Sequence, residues 1–435
     1  MIDFSKQPAI SGFKKVELHF PEPITLSNGI PVWVIGDGTD EVNRIDLYVG
    51  GGYYQEPKPL VSYLTALLTL EGNKRMTAAE VAEAFDYYGA LKSGQPFDKC
   101  TMLSLSSLNS NFNHTAEILR DSLASPSFSD RECMLHQQQI ASNIAIARDR
   151  VEFLANEEMK RLYYGDSNPL AVNVTPEMLL SITNDDYKRF HAEYYNADNI
   201  RVIFSGRVTD KEMTILDSTI GAWNKRGDKV DDSIEPPIVP SDKMLSVVDK
   251  KGALQSSVAI VIRAIPRRHP DYFKLRILIT ALGGYFGSRL NMNIREEKGY
   301  TYGISAYLSG KSNDAYIRIG SSCATRHTWP LVCEVKKEMA RLREELMQES
   351  ELNIVKQNML SDLMQTLDTP FSIARYVGDA FTCGIYPEYF NEQVDAILAC
   401  TPTDMKEMAN KYLIDDLMRI VIAGDKQKMG KDGKD

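Results

Sequence analysis

The sequence predicts an α+β protein made of two homologous domains, and three observations support this prediction. The chain has 435 residues, more than a single hydrophobic core normally serves. Strand-like and helix-like stretches both occur along its whole length. Residues 183–206 recur as residues 401–424, an offset of 218 positions (401 − 183). A repeat of this length indicates two copies of one domain, because solenoid repeats are only about 20 to 50 residues long.

The composition excludes several classes of protein. Hydrophobic residues make up 43% and charged residues 25% of the chain, as in an ordinary soluble globular protein. The formal net charge of -9 gives no general attraction to nucleic acid or to an anionic membrane surface. We therefore expect neither nucleic acid nor membrane as a partner.

Cysteine usage and the N-terminal segment predict a cytoplasmic protein. The six cysteines have no Cys-x-x-Cys or Cys/His ligand spacing, so we expect free thiols in a reducing compartment. Residues 1–6 lack the basic start and apolar run of a secretory signal, and no stretch approaches the ~20 apolar residues of a membrane span.

The first half of the chain predicts a hairpin followed by helices and strands. Asn28-Gly29 is a typical turn between two strand-like runs. Thr77 and Glu80 have the spacing of a helix-capping box. Residues 60–70 are apolar on nearly every side, so this helix should be buried. The predicted strands are residues 20–26, 30–35, 45–49, 100–108 and 200–204, and the predicted helices are 60–70, 77–88, 115–122, 130–163 and 185–195.

A change in composition marks the domain boundary. Residues 225–243 are charged and proline-rich without an apolar period, which is typical of a linker. We expect an N-terminal domain at residues 1–224, a homologous C-terminal domain at 244–426 and a polar tail at 427–435. The identical residues at the 218-position offset are Thr183/Thr401, Asp186/Asp404, Tyr194/Tyr412 and Gly206/Gly424.

The densest cluster of glycine and polar residues lies between residues 283 and 302. Gly283, Gly284 and Gly287 predict a glycine-rich turn, which either shapes the wall of a cavity or lets helices pack closely. The turn lacks the Gly-Lys-Ser/Thr ending of a phosphate-binding loop, so we do not interpret it as one.

The same segment predicts a helix-to-strand corner. A short helix carries Arg295 and ends at Gly299, and a strand begins at Tyr300 and includes Tyr302. The residues alone leave two interpretations open. Arg295 and Tyr302 form a substrate-facing pair, or the arginine is a solvated ion-pair partner of its acidic neighbours.

The chain resembles the insulinase or pitrilysin family of inverted-zinc metallopeptidases, and within it the members with two homologous domains per chain. The resemblance extends from the Asn28-Gly29 hairpin to Gly424 and rests on the internal repeat and the Arg/Tyr corner. It implies that each domain is a mostly antiparallel β-sheet with helices packed on one face.

The zinc motif of that family is degenerate in this chain. Active members carry His-x-x-Glu-His on a buried helix, where both histidines bind zinc and the glutamate activates a water, and a distal glutamate completes the site. Counting back from Gly72 places the motif at Tyr63, Ala66 and Leu67, and the distal position falls at Ile144. None of these side chains is a good zinc ligand or a general base. We therefore expect that this chain holds no catalytic metal.

Other sets of ligands do not replace the motif. Shifting the register by one residue gives Ser62, Thr65, Ala66 and Asn143, which still lack the required ligands. Only Glu132 and His136 share a helical face, and such a pair is more often a surface contact than a metal site.

The resemblance also implies a function for the corner. In the family, an arginine and a tyrosine spaced like Arg295 and Tyr302 reach the substrate near the scissile bond, and some members are two-subunit enzymes that divide the metal and this pair between their subunits. The leading hypothesis is a metal-free subunit that binds extended peptides for a homologous partner holding zinc. We expect no peptide hydrolysis by the isolated chain. The alternative is a non-catalytic peptide-binding or scaffold protein. A hydrolase with a new nucleophile has little support, because the chain has no Gly-x-Ser-x-Gly motif.

Overall fold

The computed structural model describes residues 15–429 except 232, 234 and 312. These residues form a six-stranded sheet within residues 24–206 and a five-stranded sheet within residues 245–424. The N-terminal residues 1–6 and the last six residues of the predicted tail, 430–435, lie outside the described residues.

The first sheet is mostly antiparallel. Its strand order is β1-β2-β6-β3-β5-β4, and only the β2–β6 pair is parallel within the described residues. The strands are β1 (Ile24–Thr25), β2 (Pro31–Ile35), β3 (Val42–Gly50), β4 (Leu91–Pro96), β5 (Cys100–Leu108) and β6 (Ile200–Gly206). The helices of this half are α1 (Val61–Thr69), α2 (Ala78–Tyr87), α3 (Phe112–Ala124), α4 (Asp130–Ala147), α5 (Val151–Tyr164), α6 (Pro176–Leu180), α7 (Asn184–Tyr194) and α8 (Asp210–Thr219).

The second sheet repeats this pattern. Its order is β7-β11-β8-β10-β9, with a parallel β7–β11 pair and antiparallel neighbours elsewhere. The strands are β7 (Leu245–Asp249), β8 (Gln255–Arg263), β9 (Thr301–Gly310), β10 (Ala315–Ala324) and β11 (Arg419–Gly424). The helices are α9 (Tyr272–Ile279), α10 (Thr328–Glu344), α11 (Glu349–Gln365), α12 (Pro370–Thr382), α13 (Tyr389–Ala399) and α14 (Pro402–Tyr412), and π-helical segments occur at Thr280–Gly284 and Asn291–Glu297. The predicted α+β class with two mostly antiparallel sheets is confirmed.

The residues of the internal repeat have a structural function. Thr183 and Thr401 precede α7 and α14, and the backbone N–H and hydroxyl of each threonine donate to the aspartate three residues on. Each aspartate also forms an ion pair with a lysine of its own half. Lys58, just before α1, lies 2.7 Å from Asp186, and Lys274 of α9 lies 2.6 Å from Asp404. The repeat therefore preserves a helix cap and its anchor.

Each half donates one helix to the other half. Helix α5 packs on β8 and β11 of the second sheet, and α12 packs on β2 and β6 of the first sheet. The helices of each half cover one face of its sheet, and the exchanged helix covers the opposite face. The prediction of one helix at residues 130–163 is therefore wrong. The chain breaks between Ala147 and Val151, where Arg150 is extended, and this turn carries α5 to the second sheet.

The strand predicted at residues 20–26 is shortened to Ile24–Thr25, and the other predicted elements of the first half are confirmed with small shifts in their ends, including the capping box at Thr77. The sequence did not predict β4, α6 or α8. All six cysteines are free thiols, and four are buried, whereas Cys333 is exposed. Within the described part of the chain, no helix combines the length and apolar character needed to cross a membrane.

Candidate functional site

The degenerate motif borders a cavity in the first half, here called the first cavity. It has a volume of about 490 Å³ and lies between α1, α4 and α5. Tyr63 and Ile144 both line it, together with Ile140, Asn143 and Lys160. Tyr63 and Ile144, the predicted motif and distal positions, thus lie at one cavity.

The two other motif positions are part of the packing around α1. Ala66 is fully buried, and a Cβ atom added to Gly94 of β4 would lie 3.0 Å from the Ala66 Cβ. Leu67 is half-buried. Neither residue is among those lining the first cavity.

The first cavity does not fit a zinc ion. Its side chains are mainly apolar, and its carboxylate, Glu157, shares the lining with the ammonium group of Lys160, whereas a zinc site needs three or four ligands and no competing cation. Burial, together with the charge of Lys311, lowers the pKa of Lys160. Among the described residues, no group of three His, Cys, Asp or Glu side chains could hold a metal ion. We therefore derive no metal-dependent step for this chain.

The Glu132–His136 pair is not a ligand pair either. His136 contacts Glu71 at 3.4 Å, while Glu132 lies at the N-terminus of α4 and its backbone N–H donates to Ser129. The two side chains thus have separate structural contacts.

The glycine-rich segment before Arg295 is anchored by buried polar groups. Asn291 is 7% exposed, and its side-chain amide donates to the Tyr285 carbonyl, the Ser288 hydroxyl and the Ile304 carbonyl of β9. Arg289 forms a bidentate ion pair with Glu351 of α11 at 2.7 and 2.9 Å. These contacts attach the segment to both the sheet and the helical layer.

The three glycines of this segment have different surroundings. Gly283 and Gly284 end the π-helical segment after α9 and do not lie in a loop. A Cβ atom on Gly283 would lie 2.6 Å from the Ala306 Cβ, so glycine allows close helix–strand packing there. Gly284 and Gly287 line two separate cavities.

Arg295 lies on the π-helical segment Asn291–Glu297, in a half-exposed position. Asn293 ties this segment to α10 by donating to Glu334 at 2.9 Å and to the buried Glu338 at 2.7 Å. The guanidinium carbon of Arg295 lies 4.6 Å from the centre of the Phe286 ring, and its Nε lies 3.4 Å from the Glu296 carboxylate. The helical segment ends at Glu297, and Gly299 follows it with a φ of +63°, the left-handed conformation predicted there.

Tyr302 projects into solvent from an irregularity at the start of β9. The pairing of β9 with β10 shifts between Ser321 and Cys323, which is the pattern of a β-bulge. The Thr301 hydroxyl supports it by donating to the Ser322 carbonyl at 2.7 Å and accepting from the Gly303 backbone N–H at 3.1 Å. Tyr302 is 93% exposed as a result.

Sequence reasoning missed the residues that support this corner. Phe286 under the guanidinium of Arg295 and Asn293 on its helix were not singled out. An aromatic residue and an amide within ten positions of Arg295 were the available signals, but neither has a motif spacing of its own.

Comparison with known proteins finds a family model and several relatives that this chain resembles. Residues 181–359 match the family model described as the peptidase M16 inactive domain. The chain is 21% identical over 348 residues to the uncharacterized zinc protease YmxG of Bacillus subtilis, covering 79% of this chain and 84% of the relative. The chain is thus similar to the peptidase M16 inactive domain over residues 181–359 and to a protein named zinc protease over most of its length.

Another M16 relative carries a name that bears on catalysis. The protein from Helicobacter pylori named non-peptidase homolog YmxG is 24% identical over 322 residues, covering 72% of each chain. Among solved structures, the peptidase M16 inactive domain from Pseudomonas fluorescens superposes with a TM-score of 0.83 at 21% identity, over 93% of this chain and 98% of that one. At that identity, the superposition establishes the M16 fold. The chain is thus similar in sequence and fold to proteins described as a peptidase M16 inactive domain and as a non-peptidase homolog.

Proposed function

We propose that this chain is the metal-free, substrate-binding subunit of a heterodimeric zinc metallopeptidase that acts on extended peptides. A homologous partner subunit with an intact His-x-x-Glu-His motif would hold the zinc, and this chain would supply Arg295 and Tyr302 to the shared site. One contrast carries the proposal. The described lining of the first cavity offers a single carboxylate, Glu157, and no set of three metal ligands, whereas the Tyr302 side chain of the Arg/Tyr corner faces outward.

The exposed surface beside the corner supports a protein partner. Tyr302 is 93% exposed, and Phe286 and Met292 are 61% and 50% exposed. Aromatic side chains, methionine and arginine are the residue types enriched in the centres of protein interfaces. Their exposure in the isolated chain fits a surface that a second subunit covers.

The corner has groups suited to a peptide backbone. The guanidinium of Arg295 has several N–H donors, and the Tyr302 hydroxyl adds one donor and an acceptor. Both can hydrogen-bond a peptide carbonyl and stabilise negative charge that develops on its oxygen. The ring of Phe286 supports the guanidinium from one side, which reduces the orientations that a ligand must select.

An extended peptide also needs hydrogen-bond partners along its backbone. Strand β9 carries Tyr302, and among the described residues it pairs only with β10, so it is an edge of the second sheet as described. An edge strand can accept a peptide as an additional strand. We place the assembly in the cytoplasm, because the free cysteines fit a reducing compartment.

A second candidate function is a non-catalytic peptide-binding or scaffold protein. The name of the Helicobacter pylori relative, non-peptidase homolog, favours it. In that case the Arg/Tyr corner is a remnant, and no metal-binding partner depends on it.

Substitution of the corner in the assembled pair tests the proposal. The partner to use is an M16 chain of the same organism that carries His-x-x-Glu-His. We expect Arg295→Ala to lower the turnover of the pair about 100-fold, because one donor to the developing charge is lost. Tyr302→Phe removes one neutral hydrogen bond and should lower turnover about 3- to 10-fold. Turnover is measured with a fluorogenic extended peptide.

Two controls make the result specific. Arg326→Ala removes an exposed arginine outside the corner and should leave turnover unchanged. Zinc content of the pair, measured by atomic emission, should be the same in every variant. Wild-type turnover in Arg295→Ala would refute the role of the corner, and a failure of the two chains to associate would favour the scaffold.

A further inference from the structure

The second half contains a polar cavity of its own, here called the second cavity. It has a volume of about 490 Å³ and lies between α9, α11, α12 and α13. Arg267, Arg276 and Arg375 line it, as do Asp379 and Tyr376. Nothing in the proposed peptidase function uses these side chains.

The second cavity is the internal-repeat counterpart of the first. Residues that line the two cavities from α4 and α11, and from α5 and α12, correspond at one constant offset of 219 positions (359 − 140). The corresponding pairs are Ile140/Met359, Asn143/Asp362, Ile144/Leu363, Ala147/Thr366, Phe153/Ser372, Asn156/Arg375, Glu157/Tyr376 and Lys160/Asp379. The duplication therefore produced two equivalent cavities, and the second has become rich in arginine.

The two inner arginines are held in fixed orientations. The Arg267 Nε donates to the Gly310 carbonyl at 2.6 Å, and its Nη1 donates to the Tyr389 hydroxyl at 3.1 Å. Its guanidinium also lies 5.9 Å from the Tyr272 ring centre and 5.6 Å from that of Tyr389. The Arg276 Nη1 donates to Gln393 at 3.1 Å. A guanidinium has five N–H donors, so each arginine keeps donors for a ligand.

Several polar groups at the second cavity lack partners. The buried Tyr376 hydroxyl has no hydrogen-bond partner among the described residues. The side chains of Arg375 and Asp379 likewise form no hydrogen bond with any described residue, and no ion pair within 4.0 Å. Burial raises the pKa of Asp379, and the charges of Arg267, Arg375 and Arg276 oppose that rise. A buried polar group without a partner is costly, which favours a ligand at this place.

The balance of charge favours an anion. Three guanidinium groups face one half-buried carboxylate, and the remaining acidic side chain of the lining, Asp362, is exposed. This local excess of positive charge occurs in a chain whose net charge is -9. Guanidinium groups match the geometry of carboxylate and phosphate oxygens.

We propose that the second cavity binds a small organic anion through a carboxylate or phosphate group held by Arg267 and Arg276, with Arg375 closing the site from the surface. Its volume lies within the range of small-molecule sites, about 300 to 1,000 Å³. The tyrosine hydroxyls and Gln393 provide polar contacts for the rest of the ligand. The site needs no partner subunit, so its test is independent of the peptidase proposal.

Calorimetric titration of the full chain tests this site. The two probes are inorganic phosphate and citrate, and the probe that binds more tightly identifies the preferred oxyanion. We expect one ligand per chain and a Kd at least tenfold higher for Arg276→Gln, because a charge-assisted hydrogen bond is lost. Arg268→Gln is the matched control, since Arg268 is the exposed neighbour of Arg267 and does not line the cavity. Binding of neither probe, or equal Kd values in Arg276→Gln and wild type, would refute the proposal.

Two further variants test anion binding independently of Arg276→Gln. Arg375 is exposed, so Arg375→Gln should fold normally and still weaken binding several-fold, even if Arg276→Gln fails to fold. Asp379→Asn removes the repulsion between the carboxylate and an anion, so it should strengthen binding of the better probe several-fold. Weaker binding in Asp379→Asn would contradict an anionic ligand and indicate a ligand with a cationic group.

Discussion

The first and second cavities occupy equivalent places in the two halves, yet their chemistry differs. Tyr63 and Ile144 make the first cavity aromatic and apolar, whereas Arg276 and Arg375 make the second polar and positively charged. Two helices around each cavity, α4 and α5 in the first half and α11 and α12 in the second, correspond at a constant offset. The duplicated framework thus tolerates opposite chemistry at one position, although lining residues such as Ile144 and Leu363 also pack against the two cores.

The exchanged helices α5 and α12 pack on the sheet of the other half in two different ways. Met159 of α5 and Gly378 of α12 correspond at the same offset of 219 positions (378 − 159). Met159 is buried in a cluster that includes the small Ala259 and Ala423 of the second sheet. A Cβ atom on Gly378 would lie 2.0 Å from the Tyr48 hydroxyl of the first sheet. A large helix residue meets small strand residues at one site, and a glycine meets a large strand residue at the other.

Truncation of the large residue should give the largest loss of stability. Met159→Ala leaves a void between α5 and the second sheet, and we expect a loss of about 2 to 5 kcal/mol in the free energy of unfolding, measured by urea denaturation. Met134→Ala, at a position of α4 that is 53% exposed, is the control and should change it by less than about 0.5 kcal/mol. Equal losses in the two variants would show that α5 does not hold the halves together.

Enlargement of the small residue should have a somewhat smaller effect. Gly378→Ala forces the new methyl group against Tyr48, and we expect a loss of about 1 to 3 kcal/mol. Adding Tyr48→Phe removes the clashing hydroxyl and should restore part of that loss. Gly320→Ala is the control, because the nearest atoms to its new Cβ are 3.7 Å away. Additive effects of Gly378→Ala and Tyr48→Phe would contradict the assigned contact.

The smallest effect concerns the carboxylates before the two central helices. Glu56 precedes α1 and accepts hydrogen bonds from Leu60 and Ser62, while burial raises its pKa to about 7. Asp271 precedes α9, and ion pairing with Lys411 and a hydrogen bond from Tyr412 lower its pKa. Only the first carboxylate binds a proton more tightly when folded.

This difference predicts the pH dependence of stability. Between pH 5 and 7 the folded chain keeps a proton on Glu56 that the unfolded chain releases, so this group makes stability fall as pH rises through that window. Glu56→Gln should remove about 1 kcal/mol of that fall, measured by urea denaturation at pH 5 and pH 7. An Asp271→Asn variant is expected to show the same fall in the free energy of unfolding between pH 5 and pH 7 as the wild type. The same pH dependence in Glu56→Gln and wild type would contradict the raised pKa.

Much of the fold was predictable because its signals are local. The Asn28-Gly29 turn, the capping box at Thr77 and the repeat from Thr183 to Gly206 depend on nearby residues. The exchange of α5 and α12 was not predictable, because an apolar helix face does not specify which sheet it covers. For the same reason the break after Ala147 was missed.

The sites were predictable to a different degree. The prediction that Tyr63, Ala66, Leu67 and Ile144 occupy the metal-ligand positions depends only on residue identity and on the alignment of the motif. The outward direction of Tyr302 depends on a β-bulge and could not be derived from its spacing to Arg295. The arginines of the second cavity lie far apart along the chain, and only the folded helices bring them together.

The central claim is that this chain contributes a substrate corner but no metal chemistry. The most direct measurement is the zinc content and peptide hydrolysis of the purified chain, alone and mixed with a His-x-x-Glu-His partner. We predict no stoichiometric zinc and no cleavage by the isolated chain, and zinc-dependent cleavage by the pair. Chelator-sensitive hydrolysis by the isolated chain would contradict the account.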